Sequence, residues 1–169
     1  MFGLSPLGAV HTAFALVALV AGYAMIVRQG RIDLPSTLGH TYLWCTIVTC
    51  LTAFGIFRHG GFNIAHGLAI VTLLTLGLVL VASRTRVFGG LAPYVETLGL
   101  TATLFFHMIP GLNETFTRVP AGAPLFTGPD DPALQKAIGA VFVIFAIGMA
   151  LQAWRIRKGP VPKRQPGLA

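Results

Sequence analysis

Five stretches of this chain are long, apolar and almost free of charge, and no other feature limits its fold so severely. They run from about Leu7 to Val27, Leu34 to Phe57, Gly60 to Ser83, Leu91 to Ile109 and Asp131 to Trp154. A helix needs about 20 mainly apolar residues to cross roughly 30 Å of hydrocarbon, because lipid offers an unpaired backbone amide no partner. Each stretch meets or approaches that length. The pattern predicts an all-α polytopic membrane helix bundle with five transmembrane helices, a four-helix core plus a C-terminal helix, in one integral membrane domain over residues 1–169. Only 10% of the residues are Asp, Glu, Lys or Arg, against roughly 25% in an ordinary soluble domain. With a mean hydropathy of +0.76, this balance excludes a solvated globular enzyme.

Local chemistry marks the ends of the stretches. Pro35, Ser36 and Thr37 supply helix-start residues for the second, and Asp131-Pro132 reads as an N-cap followed by proline at the first helical position. Pro110-Gly111 is expected to stop the fourth helix, since proline lacks an amide donor and glycine readily leaves the helix. The turn between the second and third stretches is too short for another element, which makes them an antiparallel hairpin. The first stretch reads as a mature helix and not a signal peptide: no Lys or Arg precedes it, and its apolar run exceeds the roughly 7 to 15 residues of such a core. Residues 111–130, with Pro120, Pro124 and Pro129, are expected to form an irregular periplasmic loop.

Twelve Lys and Arg against five Asp and Glu give a net charge of +7, and the charges sit at the ends of the apolar stretches. The membrane therefore explains them, and no nucleic acid partner is expected. Five crossings place Arg28, Arg31, Arg84, Arg86, Arg155, Arg157, Lys158, Lys163 and Arg164 on one side, and only Arg58, Arg118 and Lys136 on the other. The positive-inside rule then predicts a multi-pass protein of the bacterial inner membrane. Its amino terminus is periplasmic, and residues 155–169 form a basic cytoplasmic tail.

Ionisable residues inside a spanning helix are costly and usually face the bundle interior. His11, His66 and His107 each lie about one turn from the periplasmic end of a different helix, and His59 sits in the nearby hairpin turn. Toward the cytoplasmic side, His40 and Glu96 come to similar depth as a candidate carboxylate–imidazole pair for a proton or a quinone. Positions eleven apart on a helix differ by about 20° around its axis, so the histidine faces of the first and third helices run on to Gly22 and Gly77. Glycines there fit close helix packing. Cys45 and Cys50 are about 140° apart around the second helix, too divergent for a disulfide, and read as small apolar residues. No CxxC, CxxCH, HExxH, GxSxG, phosphate-loop or dinucleotide signature occurs.

Three imidazoles at one depth point first to haem b, whose iron takes two axial imidazoles inside a helix bundle. His107 with His66 or His11 would supply the pair, and Arg58 the cation for a propionate. The protein would then be a component of membrane electron transfer. The second reading is a copper or zinc site from His11, His66 and His107 with His59 or Glu114 as a fourth ligand. The third is a non-catalytic accessory subunit of a larger membrane or redox complex, with no cofactor. No catalytic residue or enzymatic activity is assigned.

The run Gly61-Phe62-Asn63-Ile64-Ala65-His66-Gly67-Leu68-Ala69, the apolar helix after it and Arg84 together resemble the central helix of an uncharacterised family of small bacterial multi-helix integral membrane proteins. His40-Thr41-Tyr42 is similar to the polar start of that family's preceding helix, without its basic residues. The resemblance covers residues 36–112. It implies a membrane location and a bundle of four to five helices, and no activity.

Overall fold

The computed structural model describes residues 5–57, 61–119 and 122–159. These form five α-helices: α1 (Pro6–Gln29), α2 (Thr37–Ala53), α3 (Ile64–Arg84), α4 (Ala92–Phe116) and α5 (Pro132–Lys158). A 3₁₀ turn, Gly89–Leu91, leads into α4, and no strand occurs among the described residues. The starts are chemically determined. Ser5, Ser36, Asn63 and Asp131 each accept a backbone N–H from the first turn of the helix that follows, satisfying donors that would otherwise be orphaned.

Four helical segments are long and apolar enough to cross a membrane: Pro6–Gln29, Ile64–Arg84, Gly89–Phe116 and Pro132–Lys158. The fifth helix, α2, has 17 residues, or roughly 26 Å at 1.5 Å per residue, a little short of the hydrocarbon core. It starts later and ends sooner than its apolar stretch, because Ser36 caps it and the chain leaves the helix after Ala53. The helix is nonetheless the best covered of the inner elements: Tyr42, Leu43, Cys45, Thr46, Thr49 and Cys50 are all buried.

Helix α1 packs chiefly on α2, α3 on α4, and α4 on α5. We call the end of the bundle that holds the start of α1 and the α2–α3 turn the first end, and the opposite end the second. The core runs along the axis through Ala18, Ala21, Met25, Tyr42, Leu76, Val79, Leu100 and Leu104. Close packing at the glycines is uneven. A Cβ on Gly22 would lie 2.8 Å from Leu104 Cδ1 and 3.0 Å from the Tyr42 ring, whereas one on Gly77 would meet nothing within 4 Å. Helix α5 turns Phe142, Val143, Ile144, Ile147, Leu151 and Trp154 outward, as suits contact with lipid. Two bonds hold it at the second end: Thr101 donates to Gln152 Oε1 at 2.9 Å in a buried contact, and Gln152 Nε2 donates to the half-buried Gly30 carbonyl at 2.8 Å.

The expected stop at Pro110-Gly111 is not where α4 ends; residues 111–116 remain helical, and Pro110 lies inside the helix. Proline forfeits one bond, to the carbonyl four residues back, and membrane helices tolerate that loss when their neighbours support both flanks. The irregular connection is thus shorter than residues 111–130, and it is tied down. Phe126 N donates to the Phe116 carbonyl at 3.1 Å, with the two rings edge-on at 5.8 Å.

Asp131 closes this connection. Its carboxylate accepts from Thr127 N at 2.9 Å, Thr127 Oγ1 at 3.1 Å and Ala133 N at 2.8 Å. The Thr127 and then the Ala133 amides hold its carboxyl below the ordinary value of 3.8. A depressed folded value means that the cap contributes fully above the unfolded value and is lost as pH falls through the folded one. Acidification through that window should therefore lower the amide protection factors in the first turn of α5, measured against the intrinsic exchange rate at each pH. The Asp131→Asn protein should show no such step; an identical acid response in that variant would refute the assignment.

Candidate functional site

A cavity of about 260 Å³ opens at the first end of the bundle, between α1, the end of α2, the start of α3 and the last turns of α4. Its wall is mostly apolar, with Ala15, Leu19, Leu68, Ala69, Phe106 and Pro110. His11, Cys50, His107 and Glu114 are the ionisable side chains on it. Pro110 and Phe106 both line it, so the backbone bond that proline forfeits lies at this wall.

The His11 ring is held by α2. Its Nδ1 lies 3.0 Å from the Thr49 carbonyl and 3.1 Å from Thr52 Oγ1. A carbonyl can only accept, so Nδ1 carries the hydrogen and donates. The Thr52 hydroxyl is itself committed to backbone carbonyls at Val48 and Thr49, which leaves its oxygen as an acceptor too. In the neutral ring Nε2 is then a bare lone pair.

His107 is anchored across the bundle. Its Nε2 lies 3.1 Å from Thr46 Oγ1, and its ring meets the Tyr42 ring edge-on at 6.3 Å. The Tyr42 hydroxyl in turn lies 2.7 Å from Thr103 Oγ1 and 3.5 Å from the Leu100 carbonyl. Thr103 donates to the Leu100 carbonyl at 2.8 Å. All four side chains are buried. The residues fall at i, i+4 on α2 (Tyr42, Thr46) and again on α4 (Thr103, His107), so each pair shares one face of its helix.

His66 takes another course. It is the third residue of α3, where its Nδ1 lies 3.2 Å from the Asn63 amide in a capping box. That role draws the ring back over the helix start, between Phe57 at 5.0 Å and Phe62 at 5.2 Å. The α3 part of the cavity wall is instead Ala65, Leu68, Ala69 and Thr72. His40 is exposed on the first turn of α2, while Glu96 is half-buried. Arg58 and His59 lie outside the described residues, as do Lys163 and Arg164. Cys45 and Cys50 are free and buried.

Among the described residues no group of three or more His, Cys, Asp or Glu is placed to hold a metal ion. A porphyrin is at the large end of small-molecule ligands, whose pockets run from roughly 300 Å³ upward, and this cavity is smaller than that. The described residues thus present no preformed site for either group.

Thr46, Thr49, Tyr42 and Thr103 are functional neighbours that the histidine count alone passes over. Their signal is nonetheless in the sequence, as threonines and a tyrosine spaced three or four apart on apolar helices. No protein family, curated protein or solved structure matches the chain. What the fold defines is a class: an all-helical bundle whose four long apolar segments fit an integral membrane protein.

Proposed function

We propose that this is a multi-pass protein of a bacterial inner membrane that holds a small, largely apolar molecule in the cavity at its first end, in the service of membrane redox chemistry. The observation that carries the reading is the His11–His107 pair: two imidazoles from different helices, each fixed by a protein partner on one nitrogen, on the wall of one apolar cavity. An imidazole so oriented has its remaining nitrogen set for recognition, as in sites where an outer partner fixes the ring. An apolar wall with a few convergent polar groups is the common make-up of a small-molecule site.

Ala15 lies on the wall, and Ala15→Trp would fill the space. Organic extracts of the detergent-purified protein, analysed by mass spectrometry, should contain a small molecule that is depleted at least fivefold from the Ala15→Trp protein. Identical extracts would refute the reading. So would a Soret band lost with His107→Ala, which would establish a porphyrin.

Orientation follows from charge: the first end faces the periplasm and the basic carboxyl terminus the cytoplasm. The family resemblance over residues 36–112 accords with this membrane setting. A membrane-impermeant amine reagent on intact spheroplasts should spare Lys158 and Lys163 and reach Lys136. Labelling in the reverse sense would overturn the assignment.

A further inference from the structure

A second hollow lies toward the other end of the bundle, on the outside of the α1–α2 pair. It is a groove of about 330 Å³, lined on α1 by Val17, Val20, Ala21 and Ala24 and on α2 by Leu38 and Thr41. Ala21 is buried and Ala24 half-buried, so they form a recessed floor, while Val17 and Val20 stand exposed beside them. Thr41 is the one polar residue on the wall, and its hydroxyl donates to the Thr37 carbonyl of its own helix at 3.0 Å. From Leu16 to Ala24 the groove follows α1 for about 12 Å, at 1.5 Å per residue. A space of that volume admits an alkyl chain and not another helix, which with its side chains is about 10 to 12 Å across.

The groove leads to positive charge. Arg28 lies four residues beyond Ala24 and eleven beyond Val17, within about 40° of both around α1. It is exposed and has no acidic partner among the described residues, whereas Arg31 pairs with Asp33. The start of α2 comes to the same turn of α1, because Ser36 Oγ reaches Met25 Sδ at 3.6 Å. Ser36 accepts the Gly39 amide on its hydroxyl at 3.0 Å and the His40 amide on its carbonyl at 2.9 Å. The Thr37 and Leu38 amides precede the first intrahelical bond, and the helix dipole adds positive potential there. We infer that the groove seats an acyl chain of an anionic phospholipid, whose phosphate rests between Arg28 and the start of α2. The chain and the charge are both needed for this choice: an apolar trough open to the side takes an alkyl tail, and the basic mouth at its end takes an anionic head. Basic pockets beside membrane helices attract anionic headgroups in this way. A zwitterionic lipid brings the same tail, but its own ammonium group competes with Arg28 for the phosphate. The lipid site is separate from the first-end cavity and from whatever that cavity holds.

Delipidated full-length protein in detergent is titrated with dioleoyl-phosphatidylglycerol and, separately, with dioleoyl-phosphatidylcholine, and bound lipids are counted by native mass spectrometry. The first phosphatidylglycerol should bind severalfold more tightly than the first phosphatidylcholine. Arg28→Gln should weaken it about fivefold, the worth of one basic residue beside an anionic lipid. Arg84→Gln, at the same end but on α3, should leave it nearly unchanged. Ala24→Leu raises the floor of the groove and should weaken both lipids. Val20→Trp, at an exposed position on the wall, repeats that test if Ala24→Leu does not fold. Equal binding of the two lipids would overturn the anionic headgroup. Equal losses in Arg28→Gln and Arg84→Gln would show diffuse attraction to a basic surface and no site. Unaltered binding in both Ala24→Leu and Val20→Trp would remove the acyl chain from the groove. A dimer that forms as lipid is withdrawn, and that Ala24→Leu abolishes, would give the groove to a second copy of the chain instead.

Discussion

Gly39→Ala should destabilise the protein by about 3 kcal/mol or more, at the upper end of overpacking costs, although alanine is the better helix former by about 1 kcal/mol. The two effects oppose each other, and geometry decides between them. Gly39 occupies the first turn of α2, where Ser36 Oγ accepts its amide at 3.0 Å and donates to the Asp33 carbonyl at 2.7 Å. Those two bonds fold the α1–α2 connection down over the helix start. A Cβ on Gly39 would lie 2.0 Å from the Asp33 carbonyl oxygen and 2.7 Å from Leu34 Cα. Both are backbone atoms, so no side chain can swing aside, and relief requires unlatching the cap. Gly77→Ala is the matching control. A Cβ there meets nothing within 4 Å, so only the propensity term remains, and the variant should be neutral or more stable by up to about 1 kcal/mol. Reversible unfolding in mixed micelles, followed by helical circular dichroism, gives both signs. Equal effects at Gly39 and Gly77 would show that the close approach has no energetic weight.

These two glycines also show what can be read from a sequence and what cannot. The expectation of helices in lipid follows from apolar length alone, a property each segment carries by itself, and all five helices form. Whether a glycine is a contact or a gap depends on what another helix brings to it. Periodicity marks Gly22 and Gly77 alike, yet only Gly22 faces Leu104 and Tyr42. Pro110 is a similar case. Its missing donor is legible, but the continuation of α4 to Phe116 depends on packing from elsewhere in the chain.

The candidate site divides along the same line. His11 and His107 reach one cavity, as a shared depth on separate helices requires. His66 has the same depth in the sequence, but Asn63 lies three residues before it, and the capping box takes the ring for local use. A short-range bond formed within one helical turn closes a much smaller loop than any contact across the bundle, so its entropic cost is lower. The Asn63-to-His66 spacing is visible in the sequence and is the signal that separates this histidine from the other two. That His107 meets Thr46, and Thr103 meets Tyr42, is not legible there; it is a matter of distances between α2 and α4.

Tyr42 is where these threads meet, and Tyr42→Ala should be the second large loss, on the order of 3 kcal/mol. Removing a buried aromatic ring from a soluble core costs about 3 to 5 kcal/mol. Lipid is as apolar as the core, so the transfer part of that cost shrinks and the lost van der Waals contact remains. The ring is fully buried, against Gly22 on one side and edge-on to His107 on the other. Tyr42→Phe keeps the ring and removes only the hydroxyl, with its bond to Thr103 and its 3.5 Å contact to the Leu100 carbonyl; a hydrogen bond between membrane helices is worth about 0.6 kcal/mol on average. The ordering of the two variants therefore separates packing from hydrogen bonding. Gly22 supplies a sharper check. Gly22→Ala alone places its methyl 3.0 Å from the Tyr42 ring and 2.8 Å from Leu104 Cδ1, and should destabilise. In the Tyr42→Ala background the ring is gone and the same methyl enters the vacated space, so the double variant should be more stable than the sum of the single changes predicts, by about 1 kcal/mol or more. A strictly additive cycle would mean that Gly22 and Tyr42 do not pack against each other, and the contact that sets the α1–α2 approach would have to lie elsewhere.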